Sequence, residues 1–546
     1  MVFNLTKAYN ALKTGPVEKN LRRFVWRFSP EDEWEDYAFD CVAFGDIPAA
    51  NCLEIGRDLT AEEGSEIDPV AARKIKDDSY VDDNVVGGTA EEVKRMKGVR
   101  LPDGTFTGTM RQILDKGGLK MKVIVSTGEP DEAVKHLIGN KVLGYSWNAT
   151  DDSMAVKFVV HLSNKKRKVR TLPALTKETL GLLESTPLTN RICLGICNGF
   201  LDFMGLACPF TIRFKLLMRE LYEGANRDLK YDDKIPEEKL EPWKELISEA
   251  VKSSSLCFPR CVRPAGALGQ PLVVGFEDGA KPAFSGNIYL QWRVPCTHGL
   301  DECDQDFDAN LLWGKARVTP LSGYSTPRSE LSGMVLMSRM ALTTVKALQT
   351  ESSMQPSGVI MLADSECSIS AVETTSRALK PFFHNRVSEV LENMRDMRKY
   401  CPVEDIHHVA GHLNPADVAT RGLAKVDDIG PGSFWQKGPS FLCSRRDIWP
   451  VTRDFVRKEL PADEICSKPA FLYCVRAWIL SCDVGVSSSP AGKSDHPVPD
   501  LWAAVEKVSH YSNNIKKVIR ILAMVLNGWR AGWLLLLLRT ILWQLT

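Results

Sequence analysis

Four acidic residues in the second half of the chain have the types and spacing that two-metal phosphodiester chemistry requires. Two end predicted strands, one lies in the first turn of a predicted amphipathic helix, and one stands at a turn before a predicted helix: Asp278, Asp364, Glu330 and Asp417. Hydrolysis by two cations about 3.5–4 Å apart needs carboxylates that bridge and flank the ions on rigid supports. One acid at such a position is commonplace, but four in this order indicate a metal-binding site.

A histidine lies close to the fourth acid. His412 shares a short stretch with Asp417, and His407 and His408 lie just upstream. Histidine changes its charge near neutral pH, so one hypothesis gives His412 a role in proton transfer. The alternative is a strand or loop histidine without a catalytic role, and the sequence leaves both open.

A second acidic pair occurs near the start of the chain. Asp82 and Asp83 follow Tyr80-Val81 and precede Val85-Val86-Gly87-Gly88, a pattern typical of a β-hairpin. Adjacent carboxylates repel each other unless cations neutralise them, and magnesium prefers such oxygen ligands. Because acidic turns are common on protein surfaces, this string alone is a weak signal.

Three further segments accompany this hairpin: Asn4–Asn10, Phe44–Ala50 and Leu143–Trp147. With the hairpin they resemble, in order, palm motifs of reverse transcriptases, and in detail those of BEL/Pao long-terminal-repeat retrotransposons. That family has an aspartate where this chain has Asn4, whose amide offers an acceptor oxygen but no charge. The chain also starts just before this motif, so the resemblance implies a polymerase without its fingers. The resemblance therefore implies a polymerase remnant that has lost activity, with Asp82 and Asp83 as its remaining metal ligands.

The four acids of the second half resemble the metal-binding set of the BEL/Pao ribonuclease H domain, over residues 266–425. The resemblance implies that Asp278 bridges two Mg²⁺ or Mn²⁺ ions. It also implies that Glu330 and Asp364 bind one ion and that Asp417 binds the other. The substrate implied is the RNA strand of an RNA–DNA hybrid.

Alternating strand-like and helix-like patterns predict a multidomain chain of α/β and α+β class. Four segments are expected: a partial reverse-transcriptase palm at 1–150, a mainly helical thumb and connection at 151–265, a ribonuclease H-like mixed-sheet α/β domain at 266–425, and a linker with a truncated pre-integrase tail at 426–546. The second segment opens with a basic cluster: Lys165, Lys166, Arg167, Lys168 and Arg170. This cluster is either a solvated loop or a contact to a nucleic-acid backbone.

Composition excludes some chemistries. Lys plus Arg and Asp plus Glu number 69 each, so net charge does not identify a partner. The 15 cysteines lack paired CxxC spacing, which favours free thiols in a reducing intracellular compartment, cytoplasmic or nuclear. Neither an Asp-Thr-Gly or Asp-Ser-Gly triplet nor a GxxxxGK[ST] loop occurs, so an aspartic protease and an ATPase have no support. No signal peptide opens the chain, and the apolar run Trp533–Leu538 is too short to span a membrane, so no membrane partner is expected.

Two functions from different classes remain. The first is a metal-dependent nuclease that cuts RNA in RNA–DNA hybrids and is joined to an inactive polymerase. The second is a non-catalytic nucleic-acid-binding remnant of a decayed or domesticated retroelement. Asn4 favours decay, whereas the complete set of four acids favours activity. The oligomeric state stays open.

Overall fold

The computed structural model describes residues 1–102, 104–128, 141–142, 144–162, 174–223, 228–253, 255–295, 307–321, 324–350, 354–373, 379–454 and 460–465. The chain divides into two units, residues 1–375 with 381–461, and residues 376–380 with 462–546. In the second unit, Leu379 and Ile465 form a β-bridge, and the Lys380 N–H donates to the Glu464 carbonyl at 2.9 Å. The elements described below belong to the first unit.

The first 128 residues contain a four-stranded antiparallel sheet, in the order β4-β5-β1-β6, and a separate hairpin of β2 and β3. In chain order the elements are β1 (Val2–Thr6), α1 (Ala8–Ala11), β2 (Arg23–Trp26), β3 (Glu35–Ala38), α2 (Ala49–Glu63), α3 (Pro69–Asp77), β4 (Ser79–Tyr80), β5 (Asp83–Val85), α4 (Ala90–Lys97), α5 (Thr109–Lys116) and β6 (Lys120–Val125). The Asp68 carboxylate caps α3 by accepting two backbone N–H groups, and Thr89 and Glu92 form a capping box on α4. These caps fix helix starts around a sheet whose inner strand β1 carries Asn4.

Residues 141–259 combine a second sheet, in the order β10-β9-β8-β7, with helices. The elements are β7 (Lys141–Val142), β8 (Tyr145–Asn148), β9 (Ser153–Lys157), α6 (Leu182–Ser185), α7 (Asn190–Gly199), α8 (Cys208–Glu220), α9 (Glu237–Ser253) and β10 (Ser255–Pro259). Large aromatic side chains on α8 and α9 are fully buried: Phe210, Phe214 and Trp243. The middle segment is thus helical with a sheet at its two ends.

A six-stranded sheet follows, in the order β13-β12-β11-β14-β15-β16. Its elements and helices are β11 (Leu268–Gly279), β12 (Ala283–Arg293), β13 (Phe307–Val318), α10 (Thr326–Thr350), β14 (Gly358–Ala363), α11 (Glu366–Glu373), α12 (Pro381–Met397), β15 (His407–Val409), α13 (Phe434–Lys437) and β16 (Val451–Thr452). Strands β11 to β13 are antiparallel, whereas β14 runs parallel to β11 and β15 parallel to β14. Every residue of β14 is buried, as is typical of a parallel strand covered on both faces.

One apolar core joins the middle helices to this sheet. Helix α8 lies on β13, where the Arg219 guanidinium donates to a carbonyl just past the strand at 3.2 Å. The fully buried Trp435 on α13 donates its indole N–H to the Leu206 carbonyl at 2.8 Å. The predicted boundary between residues 265 and 266 therefore falls inside a shared core.

The mixed α/β architecture predicted from the sequence is confirmed. The predicted strands that end at Asp278 and Asp364 correspond to β11 and β14, and the predicted amphipathic helix that starts near Glu330 corresponds to α10. The expectation that a helix follows Asp417 is wrong. Asp417 lies inside a 3₁₀ turn, Pro415–Ala419, and the chain then reaches Gly422 with a φ of +67°. A left-handed glycine stops helical geometry, so no α-helix forms here.

Two sequence predictions fall outside the described residues. They are the basic cluster from Lys165 to Arg170 and the tail beyond residue 465, including Trp533–Leu538. In the part of the chain that the structure describes, no helix is long and apolar enough to cross a membrane.

Candidate active site

Two of the four predicted acids come together because β11 and β14 are parallel neighbours. Glu277 is in register with Ala363, so the next residues, Asp278 and Asp364, emerge at the same edge of the sheet. Such an edge is a rigid mount for side chains that act on a ligand. Asp278 is buried, and Asp364 is half-buried.

The start of α10 brings the third acid to this edge. The Ser365 hydroxyl, next to Asp364, donates to the Glu330 carboxylate at 2.5 Å. The backbone of Glu330 also lies against Gly279, where an added Cβ would stand 2.1 Å from the Glu330 nitrogen. Because no side chain fits there, Gly279 permits the helix to approach the end of β11.

A clamped turn holds the fourth acid. Asn414 caps the 3₁₀ turn of Asp417 by accepting the Ala416 N–H at 3.1 Å, and its amide donates to the Glu277 carbonyl at 2.7 Å. The buried Ser285 hydroxyl on β12 donates to the Ala416 carbonyl at 2.8 Å. These bonds fasten the turn to β11 and β12, so Asp417 lies next to the other three acids.

Burial and mutual repulsion raise the pKa of two carboxyls. Burial, together with the charges of Asp364 and Asp417, raises the pKa of Asp278 from 3.8 to about 6, against a hydrogen bond from Thr420. Burial, with the charges of Glu330 and Asp417, raises the pKa of Asp364 from 3.8 to about 6. The four acids are thus close enough to affect one another's ionisation, and their charged forms need protons or cations nearby.

Donors of the protein itself engage three of the carboxylates: Ser365 donates to Glu330, Thr420 to Asp278, and Arg421 to Asp417. The Arg421 contact measures 2.6 Å. Within the described residues, no group of three or more acidic, histidine or cysteine side chains has the geometry to hold a metal ion. The donor set still has the right chemistry, since Mg²⁺ and Mn²⁺ prefer carboxylate oxygens. Ions that bind here would meet carboxylates that Ser365, Thr420 and Arg421 already engage.

A fifth acid, Glu277, was missed at the level of sequence. Its side chain is fully buried, and neither carboxyl oxygen has a hydrogen-bond partner among the described residues. It lies against Gly333 of α10, where an added Cβ would stand 2.4 Å from Glu277 Oε2. Burial, with the charges of Asp364 and Asp278, raises the pKa of Glu277 well above 4.5. The available signal was strand alternation, which points Glu277 away from Asp278 and into the sheet–helix interface.

The histidines divide between two settings. His412 is exposed in the 3₁₀ turn Gly411–Leu413, and an added Cβ at Gly411 would lie 3.2 Å from Asp364 Oδ2. This segment therefore passes beside the acids. His407 lies on β15, with Nδ1 2.8 Å from the Asp405 carbonyl and Nε2 3.2 Å from Arg446. Burial and the Arg446 charge lower the pKa of His407, which favours a neutral ring with a structural role.

The polymerase-like residues meet in the first sheet. Asn4 on β1 is in register with Asp83 on β5, and the Asn4 amide donates to the Asp83 carboxylate at 2.5 Å. Burial and the neighbouring Asp82 raise the pKa of Asp83, whereas the bond from Asn4 lowers it. Val81, before the acidic pair, has a φ of +56°, which is a strained backbone for a β-branched residue. The structure thus joins Asn4 to Asp83 and leaves Asp82 on the turn.

One family model matches a part of the chain that includes α10 and strands β11 to β14. Residues 189–365 match the family model described as "Pao retrotransposon-like RNaseH-like domain". The match begins at Thr189, the N-cap of α7, and ends just past Asp364. It therefore covers helices α7 to α9 and three of the four acids, and Asp417 lies beyond it. Residues 189–365 are therefore similar to the ribonuclease H-like domain of Pao-like retrotransposons.

Two solved structures are similar to part of the chain. The N-terminal RNase H domain of a Mycobacterium tuberculosis protein, solved as a fusion with maltose-binding protein, is 11% identical with a TM-score of 0.20, over 29% of this chain and 96% of that one. RNase H1 from the halophilic archaeon Halobacterium salinarum is 14% identical with a TM-score of 0.14, over 27% of this chain and 90% of that one. No curated protein matches the chain.

Proposed function

We propose that the ribonuclease H-like domain hydrolyses the RNA strand of an RNA–DNA hybrid with two Mg²⁺ or Mn²⁺ ions. The observation that supports this most is the parallel register of β11 and β14, because it brings Asp278 and Asp364 to one sheet edge. When bound, the ions would supply an activated water and stabilise the leaving oxygen of the phosphodiester. Activation of water and stabilisation of the leaving oxygen both need ions in fixed positions. Carboxylates that come from separate rigid elements of the sheet edge would provide those positions.

The roles proposed for the four acids are those that the resemblance to the BEL/Pao ribonuclease H domain implies. Asp278, between β14 and the clamped turn, is proposed to bridge both ions. Glu330 and Asp364, which lie on either side of Ser365, would hold one ion, and Asp417 would hold the other. The Ser365 hydroxyl orients the Glu330 carboxylate, and a carboxylate held in place by a neighbouring donor keeps its geometry for a ligand.

Arg421 and His412 are proposed to act at the edge of the site, Arg421 by neutralising charge and His412 by transferring protons. Arg421 neutralises Asp417 in the absence of ions, and it would turn to the phosphate when an ion takes its place. His412 is exposed and follows Gly411, which lies beside Asp364, so its imidazole is proposed to carry a proton to or from water.

The first sheet is proposed to be an inactive polymerase remnant. Phosphoryl transfer to a primer depends on cations held by carboxylates from two strands. On β1 the position of the expected carboxylate is occupied by Asn4. Its uncharged amide donates a hydrogen bond to Asp83 and is proposed not to bind a metal ion. We therefore propose an intracellular retrotransposon Pol fragment of the BEL/Pao type in which only the nuclease is active.

One observation favours a second candidate, a nucleic-acid-binding remnant without turnover. The carboxylates of Glu330, Asp278 and Asp417 are engaged by protein donors, and a decayed site would keep them so. Hybrid cleavage separates the two candidates. A hybrid with 5′-labelled RNA is incubated with the full chain in EDTA, Mg²⁺ or Mn²⁺. Cleavage that depends on the cation supports the nuclease, whereas binding without cleavage under all three conditions supports the remnant.

A further inference from the structure

Three basic side chains lie together at one edge of the six-stranded sheet. They are exposed, and no carboxylate of the described residues lies within ion-pair distance of them: Lys215 on α8, and Lys315 and Arg317 on β13. We call them the β13 cation patch. Their basic neighbours differ, since Arg219 is paired with Glu223 and Arg339 with Glu389.

The three charges are close enough to affect one another. Partial burial, followed by the charges of Arg317, Lys215 and Arg339, lowers the pKa of Lys315. Like charges that the fold holds together create a positive potential that attracts anions. The patch is built from α8 and from a strand about a hundred residues later, so it does not appear as a basic run in the sequence.

The register of the sheet fixes the position of the patch relative to the acids. Gly279, which touches the backbone of Glu330, is in register with Phe284, and Phe284 is in register with Arg317. Arg317 is thus two strands away from Gly279, or about 10 Å at the usual strand spacing. Side chains that share a rung point to the same face of the sheet, so Arg317 projects on the α10 face, where Glu330 lies.

This distance can be compared with the phosphate spacing of a duplex. Along the helix axis, the phosphates of one strand advance by about 3.4 Å per nucleotide, so 10 Å along that axis corresponds to about three nucleotides. Lysine and arginine bind phosphates without reading bases. A duplex seated at the carboxylates would therefore pass its backbone along the edge strand.

We infer that the β13 cation patch binds the sugar–phosphate backbone of a duplex about three nucleotides from the bond that the acidic site cuts. The inference rests on the proposed nuclease function for its choice of substrate. The patch would add affinity for long duplexes and would not take part in bond cleavage.

The test measures how binding depends on salt. Full-length chain is titrated in EDTA against a fluorescent 24-base-pair RNA–DNA hybrid between about 50 and 200 mM salt. Neutralising the patch (Lys215→Gln, Lys315→Gln and Arg317→Gln together) should reduce the slope of log affinity against log salt by about 2–3, since each lost phosphate contact contributes about 0.9. The dissociation constant at 0.1 M salt should rise by about 100-fold or more.

A matched control is Lys346→Gln. Lys346 is exposed near the C-terminal end of α10. The salt slope of the Lys346→Gln variant should equal that of the wild type, whereas the single Arg317→Gln variant should reduce the slope by about 0.9. Thermal melts establish that each variant is folded.

The outcomes separate this inference from the proposed function. An unchanged slope in the folded triple variant, or no binding of the hybrid by the wild type, overturns the patch. A reduced slope in a chain that never cleaves the hybrid supports the patch and overturns the nuclease. Cleavage by the wild type together with an unchanged slope in the triple variant supports the nuclease and overturns the patch.

Discussion

The raised pKa of Asp278 predicts how the stability of the metal-free chain depends on pH. The change from 3.8 to about 6 means that the folded chain binds this proton more tightly than the unfolded chain. Its contribution to the free energy of unfolding is fully present below pH 3.8 and is lost as pH rises through 6. At about 1.36 kcal/mol per pH unit, the whole contribution is about 3 kcal/mol, and about 1.4 kcal/mol of it is lost between pH 5 and 8.

The Asp278→Asn variant isolates this contribution. Asparagine keeps the size of the side chain and an acceptor for the Thr420 hydroxyl, but it does not titrate. In EDTA, the free energy of unfolding of the variant, relative to that of the wild type, should increase by about 1.4 kcal/mol between pH 5 and pH 8. The reason is that only the wild type must bury a charge at the higher pH. Urea unfolding at four pH values measures the difference between the two curves, in which ionisable groups far from Asp278 cancel.

Adding Mg²⁺ at pH 8 should then stabilise the wild type more than Asp278→Asn, because bound cations favour the ionised carboxylate. A constant difference between the two proteins from pH 5 to 8 would refute the electrostatic reasoning. A difference of opposite sign would mean that the folded state favours the charge of Asp278 even without ions.

Three further predictions test the packing and the first sheet. Gly279→Ala should lower the free energy of unfolding by about 1–3 kcal/mol, because its Cβ would collide with α10; urea unfolding measures this, with Gly181→Ala, where space is open, as the control. A fragment of residues 266–425 should aggregate, whereas residues 141–461 should stay soluble and melt cooperatively, because only the longer fragment keeps the shared core; an equally cooperative short fragment would contradict this. In primer extension with Mn²⁺, neither the native chain nor Asn4→Asp should add nucleotides, and extension by the native chain would overturn the inactive-polymerase proposal.

The elements that carry the acids could be predicted from local patterns. Strand-like apolar runs precede Asp278 and Asp364, and helical periodicity follows Glu330, so each acid could be assigned to an element before the elements were assembled. Asp417 was assigned to the wrong element because its stretch combines helix-forming residues with a glycine. The positive φ of Gly422 prevents an α-helix after Asp417, and the sequence alone does not show that φ.

The contacts that tune the site could not be predicted, because they join distant segments. Thr420 bonds Asp278 across 142 residues, and Asn414 bonds the Glu277 carbonyl across 137. The shared core has the same cause: Trp435 reaches Leu206 across 229 residues. The middle helices therefore looked like a separate segment in a linear reading, whereas packing unites them with the ribonuclease H-like sheet.

The acids at the ends of β11 and β14 are proposed to hydrolyse the RNA strand of an RNA–DNA hybrid. The most direct measurement compares initial cleavage rates of the wild type and Asp364→Asn with Mg²⁺, alongside hybrid binding of each. Asp454→Asn, at an exposed acid of the same unit, is the matched control. Asp364→Asn should lower the rate by at least about 100-fold, because it removes a carboxylate charge that would hold a metal ion in the transition state, while binding should be unchanged. Equal cleavage by wild type and Asp364→Asn would contradict this proposal.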